Sequence, residues 1–111
     1  MKIAIVTNSS WASYNFRLNL ANSIVSEGHE VVFILPFDGN YSEKLKNHFE
    51  CHDLSIDVKT INPFKDLKTF FNLVNIYKKV QPDIICHFTI KLNIYGTIAA
   101  RFLKIPSLAN V

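Results

Sequence analysis

Two polar segments of this 111-residue chain carry side chains suited to an anionic or hydroxyl-rich ligand. The first, Asn8-Ser9-Ser10-Trp11-Ala12-Ser13, offers amides and hydroxyls just ahead of a helical pattern. A helix amino terminus presents unpaired N–H groups and the positive end of its dipole, which suit a phosphate or carboxylate. Capping by Ser10 or Ser13 is the ordinary use of the same residues. The second, Thr89-Ile90-Lys91-Leu92-Asn93, adds the cation of Lys91 and the amide of Asn93. Such groups hold phosphates or sugar hydroxyls, while a solvated lysine beside a cap at Thr89 or Asn93 is the plainer alternative. His87 stands just before, where a general base can be placed, although a lone histidine without a visible partner is more often packed and hydrogen-bonded.

The same residues exclude other chemistries. The first segment has no glycine, so the G-x-G-x-x-G dinucleotide fingerprint is absent, and Ser9 and Ser10 lack the G-x-S-x-G elbow of a hydrolase nucleophile. His29, His48 and His52 share no ligand spacing, which argues against a metal site. Cys51 and Cys86 lie far apart and outside any C-x-x-C pattern, as expected for small buried hydrophobes rather than a disulfide. Twelve Lys and Arg against nine Asp and Glu give +3, too small an excess to imply nucleic acid.

These residues need a scaffold, and hydrophobic patterning supplies one. Lys2 to Thr7 and Val31 to Leu35 are short continuous apolar runs, the signature of strands buried on both faces of a parallel sheet. Between them Phe16, Leu20, Ala21, Ile24 and Val25 recur at helical spacing until Gly28 stops the helix. Ser42, Glu43, Leu45 and Phe49 predict a short capped helix, and Cys51 to Ile56 a third, weaker strand. Asn62-Pro63 opens the longest helix, with Leu67, Phe70, Phe71, Val74, Tyr77 and Val80 on its apolar face, and Pro82 ends it. Its Lys65, Lys68, Lys78 and Lys79 suit an anionic membrane surface; a core helix with a solvated basic face is preferred, because the aromatic positions are needed to cover the sheet.

Asp83 to Phe88 is a fourth strand, Ile94 to Leu103 a further helix, and a fifth strand begins after Pro106. The alternation predicts an α/β, Rossmann-like parallel sheet with right-handed crossovers and helices on both faces. Ligands of such sheets bind outside the carboxyl ends of the strands, which is where both polar segments fall. Residues 1–111 read as one partial domain, cut in or after its fifth strand. No apolar run approaches the ~20 residues that span a bilayer, so a cytosolic protein is expected.

Specific wording then adds to pattern. Lys2-Ile3-Ala4-Ile5-Val6 with Trp11, Tyr14-Asn15-Phe16-Arg17-Leu18 and Glu27-Gly28-His29-Glu30-Val31 resemble the start of family 4 glycosyltransferases of the GT-B fold. Asn62-Pro63-Phe64-Lys65-Asp66-Leu67 and Gln81-Pro82-Asp83-Ile84-Ile85 resemble that family's helix start and fourth strand. Phe88-Thr89-Ile90-Lys91-Leu92-Asn93-Ile94-Tyr95-Gly96 with Ala99-Ala100-Arg101 is similar to a segment of bacterial enzymes that build capsule, O-antigen or lipid-linked oligosaccharides.

The resemblance covers the amino-terminal, acceptor-side half of such an enzyme. It implies retaining transfer of a sugar from a nucleotide-diphosphate donor to a lipid-linked or polysaccharide acceptor, with no cofactor and no obligatory metal. It places Asn8, Ser9, Ser10, Tyr14, Asn15 and Arg17 at the acceptor cleft, with Thr89, Lys91 and Asn93 facing them. The carboxy-terminal domain that binds the nucleotide sugar, with its paired glutamates, is absent, so the chain alone is expected to be inactive. A peripheral position at the inner face of the plasma membrane is also implied. Two departures concern the acceptor: the glycine-rich first connector common in the family is Asn8-Ser9-Ser10-Trp11 here, and Leu92 stands where related sequences often carry proline.

A second reading is a non-catalytic subunit that docks a separate donor-binding chain and anchors it at the membrane. A third, a flavodoxin-like receiver or nucleotide-binding module, is disfavoured by the lack of clustered acidic residues at the first strand and of a phosphate-binding glycine loop.

Overall fold

The computed structural model describes residues 1–7, 14, 17–37, 40–54, 63–88 and 90–110, with 63–66, 90–93, 109 and 110 described by backbone alone. Five parallel strands, β1 (Lys2–Val6), β2 (Glu30–Leu35), β3 (Glu50–Asp53), β4 (Ile84–Phe88) and β5 (Ser107–Asn110), form one sheet in the order β3-β2-β1-β4-β5. Parallel neighbours require crossovers, and four helices make them: α1 (Leu18–Ser26), α2 (Asn40–Lys46), α3 (Pro63–Val80) and α4 (Ile90–Phe102). The predicted doubly covered parallel sheet is therefore present.

Alternation along the central strands divides the core in two. Ile5, Val31, Phe33 and Leu35 pack with Ala21 of α1 and Leu45 of α2. Ala4, Val6, Val32 and Ile34 turn the other way, onto Leu73, Val74, Tyr77 and Val80 of α3 and Ala99 and Ala100 of α4. Residues Val32 to Leu35 are fully buried, and each such side chain contributes about 1.5–3 kcal/mol of transfer free energy.

Several boundaries differ from the sequence reading. α2 begins at Asn40, so Ser42 lies inside the helix and is buried rather than capping it, and Phe49 follows the helix and stacks edge-on against Phe33. β3 is confined to Glu50–Asp53; positions 55 and 56 lie outside the described residues. α4 starts at Ile90, four residues earlier than its apolar periodicity indicated. Ile90 to Asn93 contain neither Gly nor Pro, so nothing in the chain opposes an immediate helix. On α3, Phe70 packs on the core as expected, but Leu67 and Phe71 point outward.

Helix ends follow local stereochemistry. Gly28, at φ 89°, follows the α1 C-cap Glu27, in the left-handed conformation glycine adopts without penalty. α3 and α4 end before Gln81 and Lys104, at φ 52° and 60°, the same turn made by residues that carry a Cβ. The two free cysteines sit on β3 and β4, separated by β2 and β1. Three inter-strand steps amount to roughly 14 Å, far beyond the reach of a disulfide.

Candidate functional site

The sheet order reverses direction at β1. From β1 the chain proceeds to β2 and β3 on one side, then returns to place β4 against the other side of β1. A crevice opens at such a switch point, because the connectors leaving the two adjacent strands diverge to opposite faces. Val6 and His87 are register partners, so β1 and β4 end side by side. Thr7 continues the pairing by donating its N–H to the Ile34 carbonyl at 3.0 Å.

The first turn of α4 rises directly from this rim, putting the backbone of Lys91 and Asn93 beside the β4 terminus. Their side chains, with the whole of Asn8, Ser9, Ser10, Ser13, Asn15 and Thr89, lie outside the described residues. The described start of α1 has Arg17 as its N-cap, with no side-chain capping bond.

Arg17 joins the two connectors. Its guanidinium lies over the Phe88 ring, 4.1 Å from the centroid, so a cation at the entrance to α1 is held against the last residue of β4. Cation–π attraction of this kind is worth about 0.5–2 kcal/mol, depending on desolvation. Among the described residues no carboxylate forms an ion pair with Arg17.

Tyr14 turns towards the helix that follows β2. Its ring meets Tyr41 of α2 at 5.3 Å, and Lys44 Nζ stands 5.1 Å from each of the two rings. Tyr41 and Lys44 were not among the sequence candidates. Their signal was available, since residues that follow the end of β2 in a parallel sheet share the rim with those that follow β1. Asp53, at the end of β3, accepts a hydrogen bond from the Phe37 N–H at 3.1 Å and ties the outer connectors together.

His87 lies below the rim rather than on it. It is fully buried on the α3–α4 side, with Nε2 2.7 Å from Tyr77 Oη. Burial holds its imidazole down at about pKa 4 and pushes the Tyr77 phenol well up, so the ring is neutral at ordinary pH. Nδ1 has no hydrogen-bond partner among the described residues. The ring is accommodated by Gly96, where any Cβ would collide with His87 Cδ2 and Nε2. The remaining histidines are scattered: His29 meets the amino terminus at 3.2 Å and His52 pairs with Glu50 at 2.9 Å.

With this geometry in view, comparison with known proteins places the chain. Residues 2–110 match the family described as glycosyl transferase 4-like. The chain belongs to that family. It is 31% identical, over 96% of its length, to the N,N'-diacetylbacillosaminyl-diphospho-undecaprenol alpha-1,3-N-acetylgalactosaminyltransferase of Campylobacter jejuni, and spans 28% of that enzyme. Among solved structures it resembles MurG of Acinetobacter baumannii, with TM-score 0.76 and 23% identity, over 98% of this chain and 35% of that one. A glycosyltransferase of Rickettsia africae gives TM-score 0.76 at 20% identity, over 97% and 28%. The UDP-GlcNAc 2-epimerase of Neisseria meningitidis gives 0.71 at 14%, over 98% and 32%. At such identities the structural likenesses speak for the fold: a glycosyl transferase 4-like domain with the architecture of one GT-B half.

Proposed function

We propose that this glycosyl transferase 4-like domain forms the acceptor side of a retaining sugar transfer, from a nucleotide-diphosphate sugar to a lipid-linked or polysaccharide acceptor. The supporting observation is the switch-point rim, where Arg17 is held over the end of β4 beside the first turn of α4. The likeness to a transferase whose name specifies a diphospho-undecaprenol substrate favours a lipid-linked acceptor.

In this reading Arg17 and Lys91 meet the anionic diphosphate of the acceptor, and Asn8, Ser9, Ser10, Asn15, Thr89 and Asn93 meet its sugar hydroxyls. Tyr14 offers a ring face to a pyranose. His87 takes no proton from substrate, because its Nε2 is engaged with Tyr77 beneath the rim; it holds α4 at a fixed height above β4. The groups that bind the nucleotide and stabilise its departing diphosphate belong to chain outside residues 1–111, continuous with it or a separate subunit. Residues 1–111 alone then bind acceptor without turning it over.

Calorimetry of the 111-residue chain with a water-soluble, short-prenyl diphosphate N-acetylhexosamine tests this. Measurable binding that weakens at least fivefold in Arg17→Ala, and not in Lys79→Ala, is expected. Equal affinity of the two variants, or sugar transfer by the chain alone above a blank, would refute it.

A further inference from the structure

The entrance to α1 reaches both ways along the rim. Arg17 leans to the β4 side, over Phe88, whereas Tyr14, three residues earlier, meets Tyr41 on the helix that follows β2. Both residues have π-helical backbone, a geometry that recurs in short pieces at functional sites. β4, β1 and β2 are consecutive in the sheet, so the strands behind these two contacts are two steps apart, roughly 10 Å. A diphosphate and the pyranose attached to it span a comparable length.

The β2 side carries a chemistry of its own. Tyr14 and Tyr41 are half-buried, their ring centroids 5.3 Å apart and their planes inclined at 44°, so the rings form an open angle rather than a closed stack. Lys44, three residues after Tyr41 and therefore on the same face of α2, brings Nζ to 5.1 Å from each ring centroid. The ammonium is thus stationed beside both rings while its side chain stays exposed. Lys46 makes the contrast: it also meets a ring, that of Phe37 at 3.8 Å, but Glu43 balances its charge at 3.2 Å. Among the described residues no carboxylate pairs with Lys44. Nor does packing account for the cluster, since Tyr14 packs against the α1–α2 core but Tyr41 and Lys44 lie outside it.

We propose that Tyr14, Tyr41 and Lys44 form a subsite for the terminal sugar of the acceptor and select one that carries a carboxylate, a hexuronic acid. The C–H face of a pyranose packs on an aromatic ring through dispersion and burial of apolar area. Its carboxylate lies at the edge of the sugar, where an ammonium held against the same aromatic pair meets it in a charge-assisted hydrogen bond. A neutral hexose gains the stacking alone. The subsite rests on the acceptor reading of the rim and adds a direction to it, with the diphosphate towards Arg17 and β4 and the terminal sugar towards α2.

Calorimetry of the 111-residue chain with two short-prenyl diphosphates, one glucuronyl and one glucosyl, tests it. The glucuronyl compound should bind about fivefold more tightly, the upper end for one exposed ion pair, and the advantage should shrink in high salt. Lys44→Gln, with native circular dichroism, should erase the advantage and leave glucosyl affinity unchanged, while Lys46→Gln should preserve it. Tyr41→Ala should weaken both compounds. Equal affinity of the parent for the two, or a Lys44→Gln variant that keeps the preference or loses both compounds equally, would overturn the subsite and leave diphosphate binding at Arg17 standing. If neither compound binds, the acceptor reading fails and methyl glucuronide decides the subsite alone. Amide shifts at Tyr41 and Lys44 that methyl glucoside does not produce would then support it; no shifts, or equal shifts with both glycosides, would reject it.

Discussion

Gly96→Ala should destabilise the domain even though alanine is the better helix former. Gly96 lies inside α4, where the exchange contributes about 1 kcal/mol of favourable helix propensity. Opposing this, the new Cβ would overlap the His87 ring at a fully buried position, and overpacking of that kind costs about 1–3 kcal/mol. Moving the ring also breaks its 2.7 Å contact with Tyr77 Oη, leaving buried polar groups unpaired at a cost of about 1–3 kcal/mol. The net expectation is a loss of about 1–5 kcal/mol, equivalent to roughly 4 °C or more in Tm for a domain of this size. Urea unfolding followed by circular dichroism measures it. In a His87→Ala background the same exchange should cost nothing or stabilise slightly, because the obstructing ring is gone. A Gly96→Ala variant as stable as the parent, or an equal loss in both backgrounds, would refute the claim that His87 sets the height of α4.

Further outcomes follow from the same structure. His87 has a pKa of about 4 in the folded chain against an ordinary 6.5, so the unfolded chain binds a proton that the folded chain refuses between those values. Its contribution, about 3 kcal/mol, is complete above pH 6.5 and is lost as pH falls towards 4; the difference in unfolding free energy between parent and His87→Gln should shrink over that window, and parallel curves would contradict it. Burial raises the Cys51 thiol to about pKa 11, so its labelling by iodoacetamide in folded protein should still be climbing at pH 9.5, whereas a plateau by then would show an ordinary thiol. Gln81→Gly and Lys104→Gly should each raise stability by roughly 0.5–1 kcal/mol, since both positions have positive φ; calorimetric Tm values below the parent would argue otherwise. In a full-length relative, alanine at the position matching Lys91 should lower kcat/KM more than alanine at that matching Lys79, and equal effects would return Lys91 to a solvated role.

The parallel sheet was legible because Ile3 to Val6 in β1 and Val31 to Leu35 in β2 are unbroken apolar runs of strand length, the pattern of strands buried on both faces. α3 was legible from its Pro63 start and Pro82 stop. The start of α4 was not, because Ile90 to Asn93 combine apolar and polar residues that suit a connector and a helix equally. Propensity alone does not choose there; the proximity of Gly96 to His87, a tertiary contact, fixes where the helix runs. The partnership of His87 with Tyr77 was half visible, since Tyr77 was on the predicted apolar face, but the inward turn of His87 depends on strand register. Arg17 appeared among the candidates through resemblance, while its ring partner Phe88 required the adjacency of β1 and β4. Tyr41 and Lys44 belong to the helix that follows β2, where the sequence carries no phosphate-binding pattern to single them out.

The central claim is that connectors leaving β1 and β4 form one acceptor surface. Amide chemical shifts of the labelled chain, titrated with the short-prenyl diphosphate N-acetylhexosamine, test it site by site. Shifts concentrated at Arg17, Phe88 and Lys91, with Gly28 and Lys104 unmoved at the opposite ends of their helices, are the predicted result. Perturbation centred on Gly28, His29 and Lys104 instead would contradict it.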